Sequence, residues 1–406
     1  MSTALQSGTQ IRLRKMRAEC AAELARLAEW WQRKLPRAEG GYHGGITPAG
    51  TPDPDMPVSV ILMTRLLWFY SAAAGFLQNE GMHKAADRAA DWLHAAFLDA
   101  EHGGVVWSVS PAGDLVDGRK HAYAQGFAIY ALSRHYRETG DARSLDTAKH
   151  VFRDLEARFR DEVHGGYREA FGRDWQPLED FRLSEKEGFA PKTMNTHLHI
   201  LEAYTELARS WRDEAVLSAL RHCLDIHLDR ILDTEHWRLR LFLQDDWKDV
   251  SEAVSFGHDI EASWLLWDAA DLLGDTALTE RLRPVAVVLA EAVRGAGMGP
   301  DGGVFNERRL ADGALDTDRI WWVQAEAIAG FLNAYALSGR AEFAEAALAV
   351  WDFTRAHIID PVGEWRWYSS LDDRPEVYWA SAWKACYHNG RAMMEAIRRI
   401  DALTGA

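Results

Sequence analysis

The sequence has few of the residues that build disulfide frameworks or metal clusters. Its 406 residues include 3 cysteines, Cys20, Cys223 and Cys386, which lie far apart along the chain. An odd number of widely spaced cysteines supports neither a set of disulfides nor a zinc cluster, and it is typical of a reducing compartment. We therefore expect a cytoplasmic protein that holds no metal.

Long apolar runs and a basic surface are also missing. The first residues lack the apolar segment of a signal peptide, and runs such as 58–63 are too short to cross a bilayer. Lys+Arg 46 stand against Asp+Glu 61, which gives a formal net charge of −15. Because binding to a phosphate backbone requires positive charge, we expect neither a nucleic acid partner nor membrane contact.

Tryptophan, in contrast, is abundant. The chain has 18 tryptophans within an aromatic fraction of 11%. Indole rings can stack on the apolar C–H faces of sugars, and they can equally serve as bulky residues in helix packing. The composition therefore points to a sugar-binding surface, a tryptophan-rich core, or both.

A hairpin, marked in most copies by glycine, recurs six times along the chain. Successive markers are 61 to 72 residues apart, which indicates a repeat architecture rather than two domains. The markers are Gly41, Gly103, Gly165, Trp237, Gly302 and Gly363.

Helical patterns follow the markers in a fixed order. The first pattern after each marker is apolar on nearly all sides, which predicts buried inner helices at 59–76, 121–139, 195–209, 258–273, 321–337 and 383–400. The second is amphipathic and predicts outer helices at 84–100, 145–161, 214–233, 277–295 and 341–360. The sixth outer helix is supplied by the amphipathic segment from 11 to about 35.

A chain that begins with the helix its last repeat lacks can close into a ring. We therefore predict an all-α (α/α)6 barrel that forms one domain over residues 1–406. The hairpins gather at one end, where the inner helices begin. Polar residues in the first turns of those helices should line a pocket there.

The first three inner helices carry candidate pocket residues. Arg65 lies on an otherwise apolar helix, so it is either paired with a carboxylate or directed at a ligand oxygen. Tyr123 is a candidate pocket hydroxyl or a core residue. Asn195 and His199 are four residues apart and share a face, which leaves His197 as a structural residue.

The last three inner helices add further candidates. Gly257 precedes His258, and Glu261 follows it by one turn, so that a carboxylate could fix the orientation of a general base or acid. The fifth inner helix begins with Trp321, and the sixth carries His388 near its start. Together with the third helix, this places a histidine from each of three helices at the same level of the ring, a pattern that favours catalysis.

Five long strings of this sequence resemble the N-acylglucosamine 2-epimerase superfamily, and within it most closely the cellobiose 2-epimerases. With the hairpins between them, the resemblance spans nearly the whole chain, and the family's (α/α)6 barrel agrees with the predicted fold. The strings are KHAYAQGFAIYALSRHYRETGD (120–141), KTMNTHLHILEAYTEL (192–207), SFGHDIEASWLL (255–266), WWVQAEAIAGF (321–331) and WKACYHNGRA (383–392).

The resemblance implies epimerisation at carbon 2 of a reducing-end sugar without metal or cofactor. The two histidines that transfer protons in this family fall on His258 and His388, and the histidine that holds the oxygens near carbons 1 and 2 falls on His199. The family's substrate-contacting residues fall on Arg65, Tyr123, Asn195, Glu261, Trp321 and Trp383. One departure is Ala385-Cys386, where the family often has Gly-Pro, and it leaves the second sugar open.

The chemistry fits these residue types. The proton on carbon 2 becomes acidic when the sugar ring opens to the aldehyde, because an enediolate then forms. Inversion requires proton removal from one face and return to the other, and histidine can do either near neutral pH. Hydrogen bonds from Arg65 and His199 would stabilise the enediolate. Return of the proton to carbon 1 would give the ketose, so a mannose isomerase is the alternative.

Two other classes remain as alternatives. An (α/α)6 glycoside hydrolase would need two carboxylates beside the scissile bond, for which Asp246, Asp259, Glu261 and Glu326 are candidates. A non-catalytic sugar-binding protein would use the tryptophans without needing paired histidines. In every case the partner is a small sugar, and we expect a monomer or a homodimer.

Overall fold

Twelve α-helices dominate the computed structural model, which describes residues 3–184, 188–370 and 377–405. Parts of two predicted hairpins, 185–187 and 371–376, lie outside the described residues. The helices are α1 (Thr3–Lys34), α2 (Val60–Leu77), α3 (Glu80–Ala96), α4 (Ala122–Thr139), α5 (Ala142–Phe159), α6 (Met194–Ser210), α7 (Glu214–Ile226), α8 (Phe256–Leu273), α9 (Thr276–Ala296), α10 (Trp321–Ser338), α11 (Ala341–His357) and α12 (Tyr387–Thr404).

The helices form two concentric rings. The inner ring contains α2, α4, α6, α8, α10 and α12, and each inner helix packs against the next, with α12 returning to α2. The outer helices back them, and α1 packs against α12 and α11. This arrangement confirms the predicted (α/α)6 barrel, including the role of the N-terminal segment as the sixth outer helix.

Twelve short strands form the hairpins at one end of the barrel. They assemble into three-stranded antiparallel sheets β1-β2-β3 and β10-β11-β12 and the pairs β4–β5, β6–β9 and β7–β8. The strands are β1 (Val58–Ser59), β2 (Ser108–Val109), β3 (Leu115–Asp117), β4 (Lys120–His121), β5 (Ala170–Phe171), β6 (Lys192–Thr193), β7 (Leu232–Asp233), β8 (Arg238–Leu239), β9 (Phe242–Leu243), β10 (Ala253–Ser255), β11 (Glu307–Arg309) and β12 (Leu315–Asp316).

Two Gly-Asp joins at the opposite end of the barrel show how an inner helix ends and the next outer helix begins. Gly140 ends α4 in the left-handed conformation with φ of 76°, and the Asp141 side chain accepts the Arg143 N–H at the start of α5. Gly274 and Asp275 do the same between α8 and α9. Glycine adopts this conformation without a Cβ clash, and aspartate satisfies a free N–H, so two residues make a tight turn.

All of the predicted helix bounds differ from the observed ones at one or both ends, and two of the differences have a physical cause. The last inner helix begins at Tyr387 rather than at Trp383, because the Ser381 hydroxyl accepts the Lys384 N–H in a turn and the Lys384 ammonium is drawn to Glu364, 2.7 Å away. The predicted outer helix 214–233 ends at Ile226 and continues as one π-helical turn, His227–Ile231, before a strand. The other helices differ from their predicted bounds at one or both ends, by up to eight residues.

Polar side chains at the fourth residue of four inner helices attach the hairpins to the ring. Each accepts a backbone N–H from the hairpin before it, at 2.8 to 3.0 Å. His197 is one of them, in agreement with its prediction as a structural residue, and Asp259 is another. The pairs are Gln125 with Val105, His197 with Tyr167, Asp259 with Leu239, and Gln324 with Val304.

Helix α2 has the length and composition of a membrane span but is a core helix of the barrel. Its 18 residues have a mean hydropathy of 1.6, and 83% of them are buried. The inner helices are surrounded by other helices, so apolar residues on all sides are satisfied by protein contacts.

Two of the three tryptophans with left-handed backbones in the described ranges hold neighbouring hairpins together. Trp175 has φ of 69° and its indole N–H donates to the His102 carbonyl, while Trp247 has φ of 71° and donates to the His164 carbonyl. A positive φ is unfavourable for a tryptophan, so the ring contacts must outweigh the local strain. These residues account for part of the high tryptophan content without any contact with a ligand.

Replacement of Trp247 by alanine should destabilise the barrel. The indole is 8% exposed and lies 4.5 Å from the Lys192 ammonium. We expect a loss of about 3 kcal/mol in the free energy of unfolding, since a large buried ring and its hydrogen bond are removed. Denaturant titration measures it. Trp267→Ala, at a half-buried ring beside Arg283, is the matched control with a loss near 1 kcal/mol. Equal losses in the two variants would contradict the proposed role of Trp247 in holding neighbouring hairpins together.

Candidate active site

The inner helices begin around a pocket of about 480 Å³ at the hairpin end of the barrel, which we call the front pocket. All nine residues predicted from the sequence line this one cavity. They are Arg65, Tyr123, Asn195, His199, His258, Glu261, Trp321, Trp383 and His388. The volume lies in the range typical of small-molecule sites.

Buried carboxylates hold two of the three histidines. The Nδ1 atom of His199 lies 3.0 Å from Glu202, and that of His388 lies 2.6 Å from Glu326. The pKa of Glu202 is about 2, because Arg391 and its hydrogen-bonding partners outweigh the effect of burial. This ionised carboxylate requires the proton of neutral His199 to be on Nδ1. In both histidines Nε2 is then the free nitrogen.

The third histidine is held differently from the sequence prediction. Nδ1 of His258 is 2.8 Å from the Ser255 hydroxyl, and Glu261 bonds elsewhere. The Trp322 ring lies against both His258 and His388, with ring centroids 4.8 and 5.5 Å apart. Within the described part of the chain, no protein atom hydrogen-bonds to Nε2 of His199, His258 or His388. All three therefore offer the same nitrogen to a ligand.

A buried arginine joins the carboxylates behind the pocket. Arg391 is 3% exposed, and its Nη2 lies 2.6 Å from Glu261 and 2.7 Å from Glu326. Its Nη1 donates to Glu202. The four residues come from α12, α8, α10 and α6, so one guanidinium connects four inner helices. We call this set the arginine cluster.

Burial and charge set the protonation of these groups. Burial raises the pKa of Glu261 and Glu326, and repulsion from Glu326 adds to the rise at Glu261. Burial lowers the pKa of His258 and His388, and the positive charges of Arg65 and Arg391 lower that of His388 further. The imidazoles are therefore neutral at neutral pH, which is the form a general base needs.

Three of these groups have the geometry of metal ligands. One ligand atom each from Glu261, Glu326 and His388 lie within 4.8 Å of one another. The Arg391 guanidinium bonds both carboxylates of this group, so a cation is already paired with them. These residues could bind a metal ion only if Arg391 moved away.

Arg65 is directed at the pocket without a carboxylate partner among the described residues. Its Nη2 donates to the Tyr123 hydroxyl at 2.8 Å, and its guanidinium lies 4.7 Å from the Phe127 ring. It is 3% exposed. Of the two alternatives for Arg65, the structure therefore favours interaction with a ligand oxygen over ion pairing.

The remaining lining combines aromatic walls with an amide. Trp383 packs near Tyr123 and Trp107, with ring centroids 6.2 and 6.4 Å apart. The Lys384 ammonium lies 4.2 Å from the Trp321 ring on the side of the core. Asn195 Oδ1 is buried and has no hydrogen-bond partner in the described ranges, so it is an acceptor available to a ligand.

Several residues of the site were not predicted from the sequence. Trp322, Trp367, Leu183 and Ser184 also line the front pocket. Trp322 follows Trp321 directly on α10, and two adjacent tryptophans at a helix start were a signal that either could face the cavity. The residues from hairpins had no periodic signal. In the sequence, Arg391 is one of several charged residues on a predicted buried helix, and no pattern distinguishes it from the others.

The carboxylate arrangement needed by a glycoside hydrolase is absent from the described part of the pocket. Of Asp246, Asp259, Glu261 and Glu326, only Glu261 lines the cavity. Asp259 instead accepts the Leu239 N–H, and Glu326 faces His388. Two carboxylates on opposite sides of a bond are therefore not available here.

Comparisons with known proteins agree on one family. The model of the N-acylglucosamine 2-epimerase (GlcNAc 2-epimerase) family matches residues 40–392. The cellobiose 2-epimerase of Bacteroides fragilis is 40% identical over 375 residues, covering 91% of this chain and 95% of that protein. The structure of cellobiose 2-epimerase from Spirochaeta thermophila superposes with a TM-score of 0.89 at 39% identity, covering 99% of this chain and 100% of that chain. The D-mannose isomerase of Thermobifida fusca is 24% identical over 374 residues, covering 88% of this chain and 87% of that protein.

Replacement of Arg391 by lysine tests the arginine cluster. Lysine keeps the charge but has no planar fork, so it leaves some of the three buried carboxylates unpaired. We expect activity on a sugar substrate to fall about 100-fold, as for a loss near 3 kcal/mol in positioning. Arg399→Lys on the same helix is the control, since Arg399 bonds Glu395 and Asn333 away from the pocket. Wild-type turnover in Arg391→Lys would show that the cluster is dispensable.

Proposed function

Because the chain belongs to the N-acylglucosamine 2-epimerase family and is a sugar 2-epimerase, we propose that it inverts carbon 2 of a reducing-end sugar with His258 and His388 as the two proton carriers. One observation carries this assignment. The two imidazoles both lie against the Trp322 ring in one pocket, and each has Nδ1 fixed and Nε2 free. The substrate interconverts between glucose-type and mannose-type configurations.

The direction of approach supports a two-base reaction. His258 is on α8 and His388 is on α12, and these helices are separated in the ring by α10. Imidazoles from two such helices can meet opposite faces of a planar intermediate. One Nε2 removes the proton from carbon 2 of the open-chain aldehyde, and the electron pair moves to the carbonyl oxygen to form an enediolate. The negative charge of the enediolate raises the pKa of the other imidazole, which takes up a proton from solvent and returns it to the opposite face.

The groups around the histidines stabilise the developing negative charge. Arg65 is a permanent cation at the pocket wall, and His199 is held by Glu202 with Nε2 free. In this proposal both contact the oxygens on carbons 1 and 2, where charge develops in the transition state. Tyr123, Asn195 and Glu261 hydrogen-bond the sugar hydroxyls, and Trp321 and Trp383 pack against its apolar faces.

We propose a disaccharide such as cellobiose as the preferred substrate. A second cavity of about 600 Å³ shares Asn195 and His258 with the front pocket and includes Glu307, which gives room for a further sugar. Relatives that are 34 to 40% identical are cellobiose 2-epimerases. Ala385 and Cys386, which left the second sugar open, are fully buried and do not line either cavity.

The organisation of the protein in solution completes the proposal. Residues 1–406 form one catalytic domain, which acts in the cytoplasm as a monomer or homodimer. The three cysteines are unpaired and buried, as expected for a reducing compartment. Light scattering coupled to gel filtration distinguishes the two oligomeric states.

The variants His258→Asn and His388→Asn test the two-base reaction. Asparagine cannot carry the proton, so we expect epimerisation to fall about 1,000-fold or more in each variant. In D₂O the wild type should introduce deuterium at carbon 2, which NMR of the product detects. His150→Asn on the exposed face of α5 is the control with full activity. Full activity in either pocket variant would rule out the two-base scheme.

Separate incubations with cellobiose, mannose, glucose and N-acetylglucosamine, resolved by chromatography, test the substrate. We expect cellobiose to be converted to its 2-epimer faster than the monosaccharides. Glu307→Gln should raise KM for cellobiose several-fold and leave that for mannose unchanged, because a single sugar does not reach Glu307. Fructose as the main product from mannose would instead indicate an isomerase. Equal KM changes for both sugars would contradict the disaccharide site.

A further inference from the structure

A further cavity, distinct from the front pocket and from the cavity that includes Glu307, lies on the barrel axis at the end opposite the hairpins. It has a volume of about 360 Å³, and we call it the rear cavity. Its lining comes from the later turns of α2, α4, α6, α8 and α12, for example Ala72, Tyr130 and Thr205. The front pocket is lined by the first turns of the same helices. The two cavities therefore share an axis and are separated by the middle of the ring.

The lining of the rear cavity combines aromatic rings with charges of both signs. Trp68, Phe76, Tyr130 and Trp264 contribute rings, and five arginines face five carboxylate side chains. Equal numbers of opposite charges do not select an ion of either sign. Arginine has five N–H donors and a carboxylate has about four acceptor positions. An arginine–carboxylate pair therefore has donors and acceptors left over that can hydrogen-bond a ligand.

Three buried donors in this lining, Nε1 of Trp68 and Nε of Arg134 and of Arg391, lack a hydrogen-bond acceptor among the described residues. Trp68 is 6% exposed, and its indole Nε1 has no hydrogen-bond acceptor among the described residues. A buried N–H without an acceptor is unfavourable, so an oxygen atom inside the cavity would satisfy it. Aromatic rings next to planar charged side chains match a molecule that has both C–H faces and hydroxyl groups.

The rear cavity also touches the arginine cluster. Glu202 and Arg391 both line it, and Trp264, another lining residue, donates to Glu326 at 3.1 Å. Glu202 and Glu326 are the carboxylates that hold His199 and His388. A molecule in the rear cavity would therefore contact the groups that orient two histidines of the front pocket.

We propose that the rear cavity is a binding site for a neutral polyhydroxylated molecule, a monosaccharide or an alditol, and that its occupancy changes the turnover rate through Arg391 and Glu202. Coupling of this kind is reciprocal, so a sugar in the front pocket changes affinity at the rear. The proposal uses the epimerase reaction only as a readout, since binding at the rear is measurable without it.

Equilibrium dialysis with radiolabelled sorbitol tests the site. Sorbitol has no carbonyl group and is not epimerised. We expect two equivalents of sorbitol to bind to the wild type, one in the front pocket and one in the rear cavity. Only one should bind to Ala72→Phe, because Ala72 lines the rear cavity and phenylalanine fills it. Ala72→Ser keeps the space and should bind two. Thr205→Leu, on α6, fills the same cavity from another side and should also bind one.

Kinetics distinguish the two locations of sorbitol. Binding in the front pocket competes with cellobiose and raises only the apparent KM. Binding at the rear should change kcat about twofold or more in the wild type and in Ala72→Ser, but not in Ala72→Phe. One equivalent in the wild type that is lost in His388→Asn and kept in Ala72→Phe would overturn the proposal. So would two equivalents in both cavity-filling variants. Loss of epimerisation in His258→Asn leaves this result unaffected, so the two proposals fail separately.

Discussion

The contact of one guanidinium with three carboxylates at the centre of the barrel determines the geometry of the active site. Arg391 bonds Glu202, Glu261 and Glu326, and all four residues are buried. A buried cation and buried carboxylates are each unfavourable alone, and they are tolerated because they are paired and hydrogen-bonded. The same carboxylates then hold two imidazoles. Fold stability and catalytic orientation therefore depend on a single set of bonds.

The arginine cluster also gives the polar residues around the histidines distinct roles. Glu202 and Glu326 each bond Arg391 and also hold one histidine. Each of these imidazoles therefore has one orientation and one free nitrogen. Ser255 does this for His258 with a neutral hydroxyl instead. His258 and His388, the two proposed proton carriers, are thus supported by groups of different charge, which makes them chemically unequal although both are histidines.

Periodicity in the sequence was enough to predict the barrel and the location of its pocket. Six hairpin markers, with apolar helices after them, defined the ring, and the first turns of those helices contained His199, His258 and His388. The partners of these histidines could not be predicted in the same way. Glu261 is one turn from His258 in sequence, yet it bonds Arg391 from another helix, because side-chain direction in a ring depends on helix rotation and not on spacing alone. The helix start at Tyr387 depended equally on a distant residue, Glu364, through Lys384.

Closure of the ring by α1 against α12 has a consequence for how such a protein can vary. An open stack of repeats can gain or lose a unit at its end, since each unit contacts only its neighbours. A closed ring has no end at which a repeat can be added. A seventh pair of helices would widen the ring and move every inner helix away from the axis. Insertions are therefore accommodated in the hairpins, and substitutions that reshape the pocket fall on residues that face the axis. In this fold, new specificity has to arise at the mouth of the pocket, while the number of repeats stays fixed.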